Sequence, residues 1–412
     1  MSPGRRKPPA FYLKHTMIAA IRMSQATQAL AKYPSGKELS GFLKGYFKQF
    51  PKMGSRDRRE VSQLVYGALK VKTLFPQATT EQRIWLGSLL CEAEAGSFAA
   101  HWTPHFTQTE WPGIADFEQK LEWLAEKDFV ASWEGFFPQA DAISNAVELQ
   151  SFYAAHLATP LTWIRVRQKQ LQATIKELEQ NGLAYEQHPI LPTALALKAG
   201  VKLDTLKSWT QGWIEVQDLA SQMTGSLFDP KAGERWLDAC AGAGGKSLLL
   251  LDLQPDVSLF VTDVREEILQ RLHERFKRAG IRSYSRAVMD LTRPGVLQEA
   301  GSFPKQFDAI IADVPCSGSG TWASSPEMLE SQRQLDISSF TERQYQIAAN
   351  LLPSVKSGGR LIYLTCSVYA AENEEVVNRL LEHDSLELGQ QQYFQHSGEG
   401  GDVLFGAVLL KR

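Results

Sequence analysis

The sequence predicts an α/β protein: a doubly wound parallel sheet over 226–412, preceded by an all-helical domain over 1–150 and a small α+β module over 151–225. Three observations carry this reading. From about Glu234 onward, short apolar runs alternate with amphipathic stretches, the pattern of strands joined by crossover helices. Two of those runs, Phe307 to Ala312 and Leu361 to Leu364, lead directly into cysteines, Cys316 and Cys366. A glycine-rich turn, Ala241-Gly242-Ala243-Gly244-Gly245, sits between the first strand and the first helix of this region, where such sheets bind ligands.

Taken in order, residues 1–10 are Pro/Gly/basic and read as a flexible arm. Leu13 to Pro138 reads as helical, with Val61, Leu64, Val65, Ala68 and Leu69 on one face. Trp111-Pro112 and Phe137-Pro138 are breaks. In the module, Trp163–Val166, Ala194–Leu197 and Trp213–Val216 are strands. Lys169–Asn181 is a helix stopped by Asn181-Gly182. In the last region strands are expected at Arg235–Leu237, Leu259–Thr262, Ser285–Val288, Phe307–Ala312 and Leu361–Thr365, with a final one within Asp402–Leu410. Helices are expected at Lys246–Leu253, Arg265–Ala279, Phe340–Val355 and Ala371–His383. Gly358-Gly359 reads as the turn feeding the strand before Cys366.

The net charge of −2 says little, but its distribution is uneven. Residues 1–72 hold 15 Lys and Arg against 3 acids, and 73–160 hold 3 against 12. A basic lobe of this kind suits an anionic partner, nucleic acid above all. Lys44, Lys48, Lys52, Arg56, Arg58 and Arg59 form the candidate contact patch. Four cysteines without CxxC spacing argue against zinc and against a disulfide framework. No apolar stretch approaches the roughly 20 residues that span a bilayer, and no secretory leader is evident. A cytoplasmic, membrane-free, metal-free monomer is expected.

The glycine turn, Cys240 to Gly245 followed by Lys246, fits neither the P-loop nor the GxGxxG pattern. It lets backbone approach a ligand before a helix start. Asp263 ends the second strand, where an acid can accept both ribose hydroxyls. Asp290 follows the third, placed for an exocyclic amine. Turn, ribose acid and adenine-edge acid on consecutive strands fit an adenosine ligand without a triphosphate, and S-adenosyl-L-methionine is the expected cofactor. Two thiols at two strand ends can share a pocket, one attacking covalently while the other handles a proton.

Asp313-Val314-Pro315-Cys316-Ser317-Gly318-Ser319-Gly320 and Gly358 to Ser367, followed by Glu372-Asn373-Glu374, resemble the Sun family of RNA cytosine-5 methyltransferases, in particular its RsmB-like branch. Gln217 to Gln222 is similar to the family's lead-in to its catalytic domain. Arg58-Arg59-Glu60-Val61 and Leu64-Val65-Tyr66-Gly67 resemble its NusB-like helical domain, so the likeness covers nearly the whole chain. It implies a Rossmann-like S-adenosylmethionine-dependent fold and methylation of RNA, ribosomal rather than transfer RNA by analogy of the helical domain. It assigns the attack on carbon 6 of cytosine to Cys366 and release to Cys316. Asp313 would hold the N3 edge, and Lys246 would lie near the methionine end and favour thiolate at Cys366.

In the family the cofactor loop reads Cys-Ala-Ala-Pro-Gly-Gly-Lys-Thr. Here Gly242 and Ala243 replace Ala-Pro, and Ser247 replaces Thr. Loss of the proline is expected to raise the ordering entropy by about 0.5–1 kcal/mol and weaken cofactor binding a few-fold. Cys91 and Cys240 are expected to pack as core thiols. The rival functions are a transfer RNA methyltransferase and a non-catalytic RNA-binding assembly factor.

Overall fold

The computed structural model describes residues 10–92, 96–198, 200–301, 303–395 and 401–412, with the side chains of 10–16 outside that description. The expected N-terminal arm, apart from Ala10, lies outside the described residues. Contacts divide the chain into two compact units. One comprises residues up to Ala140, Tyr153–Thr159 and Trp322–Gln334. The other comprises Asp141–Phe152, Pro160–Thr321 and Leu335–Arg412. The module over 151–225 falls largely within the same unit as the large sheet.

The first unit is helical, with α1 (Ala10–Lys32), α2 (Leu39–Phe47), α3 (Ser55–Lys70), α4 (Thr80–Leu90), α5 (Ser97–Thr107) and α6 (Phe117–Ala125). Local chemistry fixes their starts. Thr79 and Gln82 form a reciprocal capping box on α4, and Asp116 caps α6 through Gln119 N–H. The expected face of α3 is the buried one. Glycines let α3 and α4 touch: a Cβ on Gly87 would sit 2.3 Å from the Gly67 carbonyl carbon. Trp322–Gln334, drawn from far along the chain, completes this unit. Trp322 stacks on Phe137 at 5.2 Å, Glu327 accepts from Leu39 N–H at the start of α2 (3.1 Å), and Glu330 pairs with Lys72 (2.6 Å).

In the second unit a small antiparallel sheet has the order β2-β3-β1-β4, from β1 (Thr162–Val166), β2 (Tyr185–Gln187), β3 (Ala194–Leu197) and β4 (Ile214–Val216). Helix α7 (Leu171–Gln180) covers it, burying Leu171 and Leu178 against Ile164, Leu195 and Ile214. Asp218 then caps the short helix α8 (Leu219–Met223).

The large sheet contains β5 (Arg235–Asp238), β6 (Ser258–Asp263), β7 (Ser285–Val288), β8 (Phe307–Asp313), β9 (Val355–Thr365), β10 (Leu386–Phe394) and β11 (Leu404–Lys411). Their order is β10-β11-β9-β8-β5-β6-β7. The five strands β7-β6-β5-β8-β9 run parallel, and β11 inserts antiparallel between β9 and β10. Helices α9 (Gly245–Leu253), α10 (Glu266–Arg278), α11 (Ile337–Leu351) and α12 (Glu374–Leu381) make the connections. Arg275 and Arg278 on α10 both bond the buried Glu215 of β4, at 2.6 and 2.8 Å, tying the small sheet to the large one.

One expectation is corrected. Gly358-Gly359 is not a turn: it lies inside β9, where the register against β8 shifts and Gly358 takes φ +74°. Strands β2 and β10 were not anticipated. Strands β5 and β8 are neighbours although β6 and β7 intervene in sequence, so the chain reverses direction across the sheet between them. Ligands of open α/β sheets bind at the carboxyl ends beside such a reversal. Asp238, Asp263, Asp313 and Thr365 end their strands on that edge. Among the described residues no helix is long and apolar enough to cross a membrane.

Candidate active site

Strands β8 and β9 run parallel in register, Asp313 opposite Leu364, so the loops that follow them emerge side by side. This brings Cys316 and Cys366 together: their sulfurs are 3.3 Å apart, and Cys366 N–H lies 3.4 Å from Cys316 Sγ. The loops are laced by backbone. Gly320 N–H donates to Cys366 O (2.9 Å), and Val403 N–H donates to Gly320 O (2.8 Å). A Cβ on Gly320 would sit 2.0 Å from Val403 O and 3.1 Å from Cys366 O, so only glycine allows this approach.

Lys246, at the start of α9, donates to Asp313 Oδ2 at 2.7 Å. Burial pushes the ammonium pKa down, but the Asp313 carboxylate outweighs this and holds it above the ordinary lysine value. The Cys366 thiol is pushed well above the ordinary cysteine value by its bond with Cys316, by burial and by the Asp313 charge; Lys246 opposes these and does not prevail. Lys246 thus acts in the expected direction, but the Cys316 bond, burial and the Asp313 charge together outweigh it.

At the neighbouring strand ends, Gly244 caps α9 in the left-handed region (φ +82°), where a Cβ would lie 2.7 Å from the Phe276 ring. Gly242 also takes positive φ, +52°, and its N–H donates to Asp263 Oδ2 (3.0 Å). Ala241 N–H is spent on Thr262 O, and Ala243 is exposed. Asp238 accepts from Ser247 Oγ (2.6 Å), while its other oxygen is buried without a hydrogen-bond partner. Burial pushes Asp238 up to about 7.

Asp263 is engaged by the fork of Arg265, Nε to Oδ1 at 2.9 Å and Nη2 to Oδ2 at 3.0 Å. Burial raises its pKa, but these bonds bring it below the ordinary aspartate value. Asp290 is exposed and takes both Thr292 bonds on Oδ1. A left-handed glycine turn at the start of a nine-residue helix, a row of strand-end carboxylates and one orphaned buried oxygen fit a cationic, hydroxyl-bearing nucleoside cofactor. Cys240 packs against the core, its thiol raised by burial, and Cys91 is buried in the helical unit.

In that unit Lys44, Lys48, Lys52, Arg56 and Arg59 are exposed. Arg56 pairs with Glu60 (3.0 Å), and Arg58 turns back to Phe50 O (3.3 Å). Two of the arginines are thus partly committed within the unit. Among the described residues no group of three His, Cys, Asp or Glu is placed to hold a metal.

Two features were not picked out by the sequence reading. Arg265 lies on Asp263, and Glu372 lies beneath both cysteine loops. The first was visible only as a basic residue at a helix start. The second stood in the quoted Glu372-Asn373-Glu374 motif without a role.

This sheet with its glycine turn and paired thiols defines a Rossmann-like, S-adenosylmethionine-dependent methyltransferase. The family model described as 16S rRNA methyltransferase RsmB/F matches residues 226–403. Ribosomal RNA small subunit methyltransferase B of Cronobacter sakazakii is 33% identical over 316 residues, covering 73% of this chain and 69% of that protein. The Serratia proteamaculans protein of the same name is 32% identical over 268 residues, covering 61% and 60%. The chain belongs to this family of S-adenosylmethionine-dependent RNA methyltransferases. Among solved structures, that of PH0851 covers 99% of this chain and 100% of its own at TM-score 0.66 and 21% identity. NSun6 from Pyrococcus horikoshii with SFG covers 64% and 94% at TM-score 0.57 and 18% identity. Both share the fold.

Proposed function

We propose that the chain methylates carbon 5 of a cytosine in ribosomal RNA through a transient bond between Cys366 Sγ and carbon 6. The observation that carries this is the pair of sulfurs 3.3 Å apart at adjacent strand ends, next to the Lys246–Asp313 ion pair. Ribosomal RNA as substrate follows from what the relatives are named for.

Gly242, Gly244, Asp238 and Asp263 would hold S-adenosylmethionine, with the ribose hydroxyls taking the place of Arg265 on Asp263. Bound there, the cofactor supplies an electrophilic methyl group. The Cys366 S–H bond breaks as its sulfur pair bonds carbon 6, the carbon 5–carbon 6 π electrons shift to make carbon 5 nucleophilic, and the thiol proton passes to N3 of the ring. A carboxyl oxygen of Asp313 accepts a hydrogen bond from that N3–H and stabilises the adduct. After transfer, Cys316 removes the carbon 5 proton. That C–H pair restores the double bond, the carbon 6–sulfur pair returns to Cys366, and the N3 proton goes back to that sulfur, leaving the carbon 5 proton on Cys316. The target base must leave its stack to reach the thiols. The exposed lysines and arginines of the helical unit would hold RNA phosphates.

Trapped complexes test the roles. Cys316→Ala is expected to accumulate a covalent protein–RNA complex, and Cys366→Ala none. The reverse pattern would place the attacking thiol after Pro315. Bisulfite sequencing of total RNA from cells with and without the gene names the substrate. A lost signal in transfer RNA, or in no RNA, would overturn the ribosomal assignment.

A further inference from the structure

We propose that Glu372 is the positioning residue that sets the register of the two thiols; this rests on the reading of Cys316 and Cys366 given above. Glu372 ends a short turn, Ala370–Glu372, and its side chain is fully buried. Its Oε1 accepts from Ser317 N–H (2.8 Å) and from Gln344 Nε2 (2.8 Å). Its Oε2 accepts from Ser317 Oγ (2.5 Å) and from Ser367 Oγ (2.5 Å). Ser317 directly follows Cys316, and Ser367 directly follows Cys366. One carboxylate thus holds both thiol loops from below.

The surroundings brace this junction. The same Gln344 amide donates to Pro315 O (3.0 Å), just before Cys316. Tyr363 hydroxyl donates to the Glu372 carbonyl (2.6 Å), fixing its backbone. Ser319 Oγ lies 3.1 Å from both Ser317 Oγ and Ser367 Oγ. Asn373 Nδ2 donates to Ser367 O (2.9 Å). Among the described residues no Lys, Arg or His forms an ion pair with Glu372, so its charge is satisfied by these four donors alone. A buried charge is costly unless so satisfied, and here all of that compensation comes from Gln344 and the two thiol loops.

The carboxylate's acceptor-only character is what the loops use. In Glu372→Gln the amide oxygen must face the Ser317 and Gln344 N–H groups, which cannot accept. Its NH2 then faces two serine hydroxyls, which must turn round. The variant keeps the shape of the core but loosens the two serine legs. The step that needs both sulfurs in register is removal of the carbon 5 proton with release of Cys366.

The experiment compares wild type, Cys316→Ala, Glu372→Gln, Ser367→Ala and the Cys316→Ala/Glu372→Gln double variant in single-turnover methylation of the cognate RNA. It also quantifies trapped methylated complex and the binding of S-adenosylmethionine and RNA. Misplacement by about 1 Å costs on the order of 100-fold. Glu372→Gln and Ser367→Ala should slow release by about 10- to 100-fold and accumulate methylated complex as Cys316→Ala does. Both should bind cofactor and RNA as wild type does. The double variant should release no more slowly than Cys316→Ala alone. Wild-type release by both Glu372→Gln and Ser367→Ala, with Cys316→Ala still trapping complex, overturns the role of Glu372 and leaves the thiol roles standing. Parallel loss of cofactor and RNA binding also overturns it, as a general folding effect. Failure of Cys316→Ala to trap complex overturns the thiol roles and this inference with them.

Discussion

Cys366, the nucleophile proposed above, has its thiol pushed toward the protonated form. Its bond with Cys316, its burial and the Asp313 charge all favour the thiol, and Lys246 alone opposes them. Below an elevated pKa the thiolate fraction rises tenfold per pH unit. Alkylation of Cys366 by iodoacetamide, followed by peptide mass spectrometry, should therefore accelerate about tenfold per unit from pH 7 to pH 9. A flat rate would mean a preformed thiolate. Asp313→Asn removes a charge that raises the thiol, so labelling should be faster at every pH while methyl transfer falls. The thiols, Lys246 and Asp313 were legible because each sits in a contiguous motif at a strand end. Arg265 on Asp263 and Glu372 beneath Ser317 and Ser367 were not. The contacts of Glu372 join side chains from loops some 50 residues apart, and neither meeting has a signature in local spacing.

At the level of elements, close approach is set by missing side chains. Helices α3 and α4 meet at Gly67 and Gly87, where an added Cβ on Gly87 would lie 2.3 Å from backbone. Gly87→Ala should cost about 1–3 kcal/mol, as overpacking of a well-filled contact does, seen as a lower Tm in thermal unfolding. An unchanged Tm would show that the two helices can part freely. Two strands match the structure residue for residue: Ala194–Leu197, a continuous apolar run, and Ser285–Val288, whose side chains alternate between exposed and partly buried. β10 escaped because it is an edge strand with a solvent-facing middle. Gln390, Gln391 and Gln392 offer no apolar alternation, and burial is confined to its ends, Leu386 and Phe394. Gly358-Gly359 misled because a glycine pair marks a bulge within a strand as readily as a turn between elements.

At the level of the whole molecule, the backbone passes between the two compact units five times, after Ala140, Phe152, Thr159, Thr321 and Gln334. The helical unit therefore borrows Trp322, Glu327 and Glu330 from the middle of the methyltransferase stretch. A fragment ending at residue 150 lacks all three. It should expose the face of Phe137 and bind a hydrophobic dye, and a peptide of residues 322–334 should reverse this. A fragment that melts cooperatively without dye binding would show the borrowed segment to be dispensable. Adjacency in sequence is then a poor guide to shared fate. In a saturation mutagenesis map scored for folding, positions 322–334 should cluster with 39–137. Their immediate neighbours through Thr321, which carry the Cys316 loop, should instead cluster by loss of turnover.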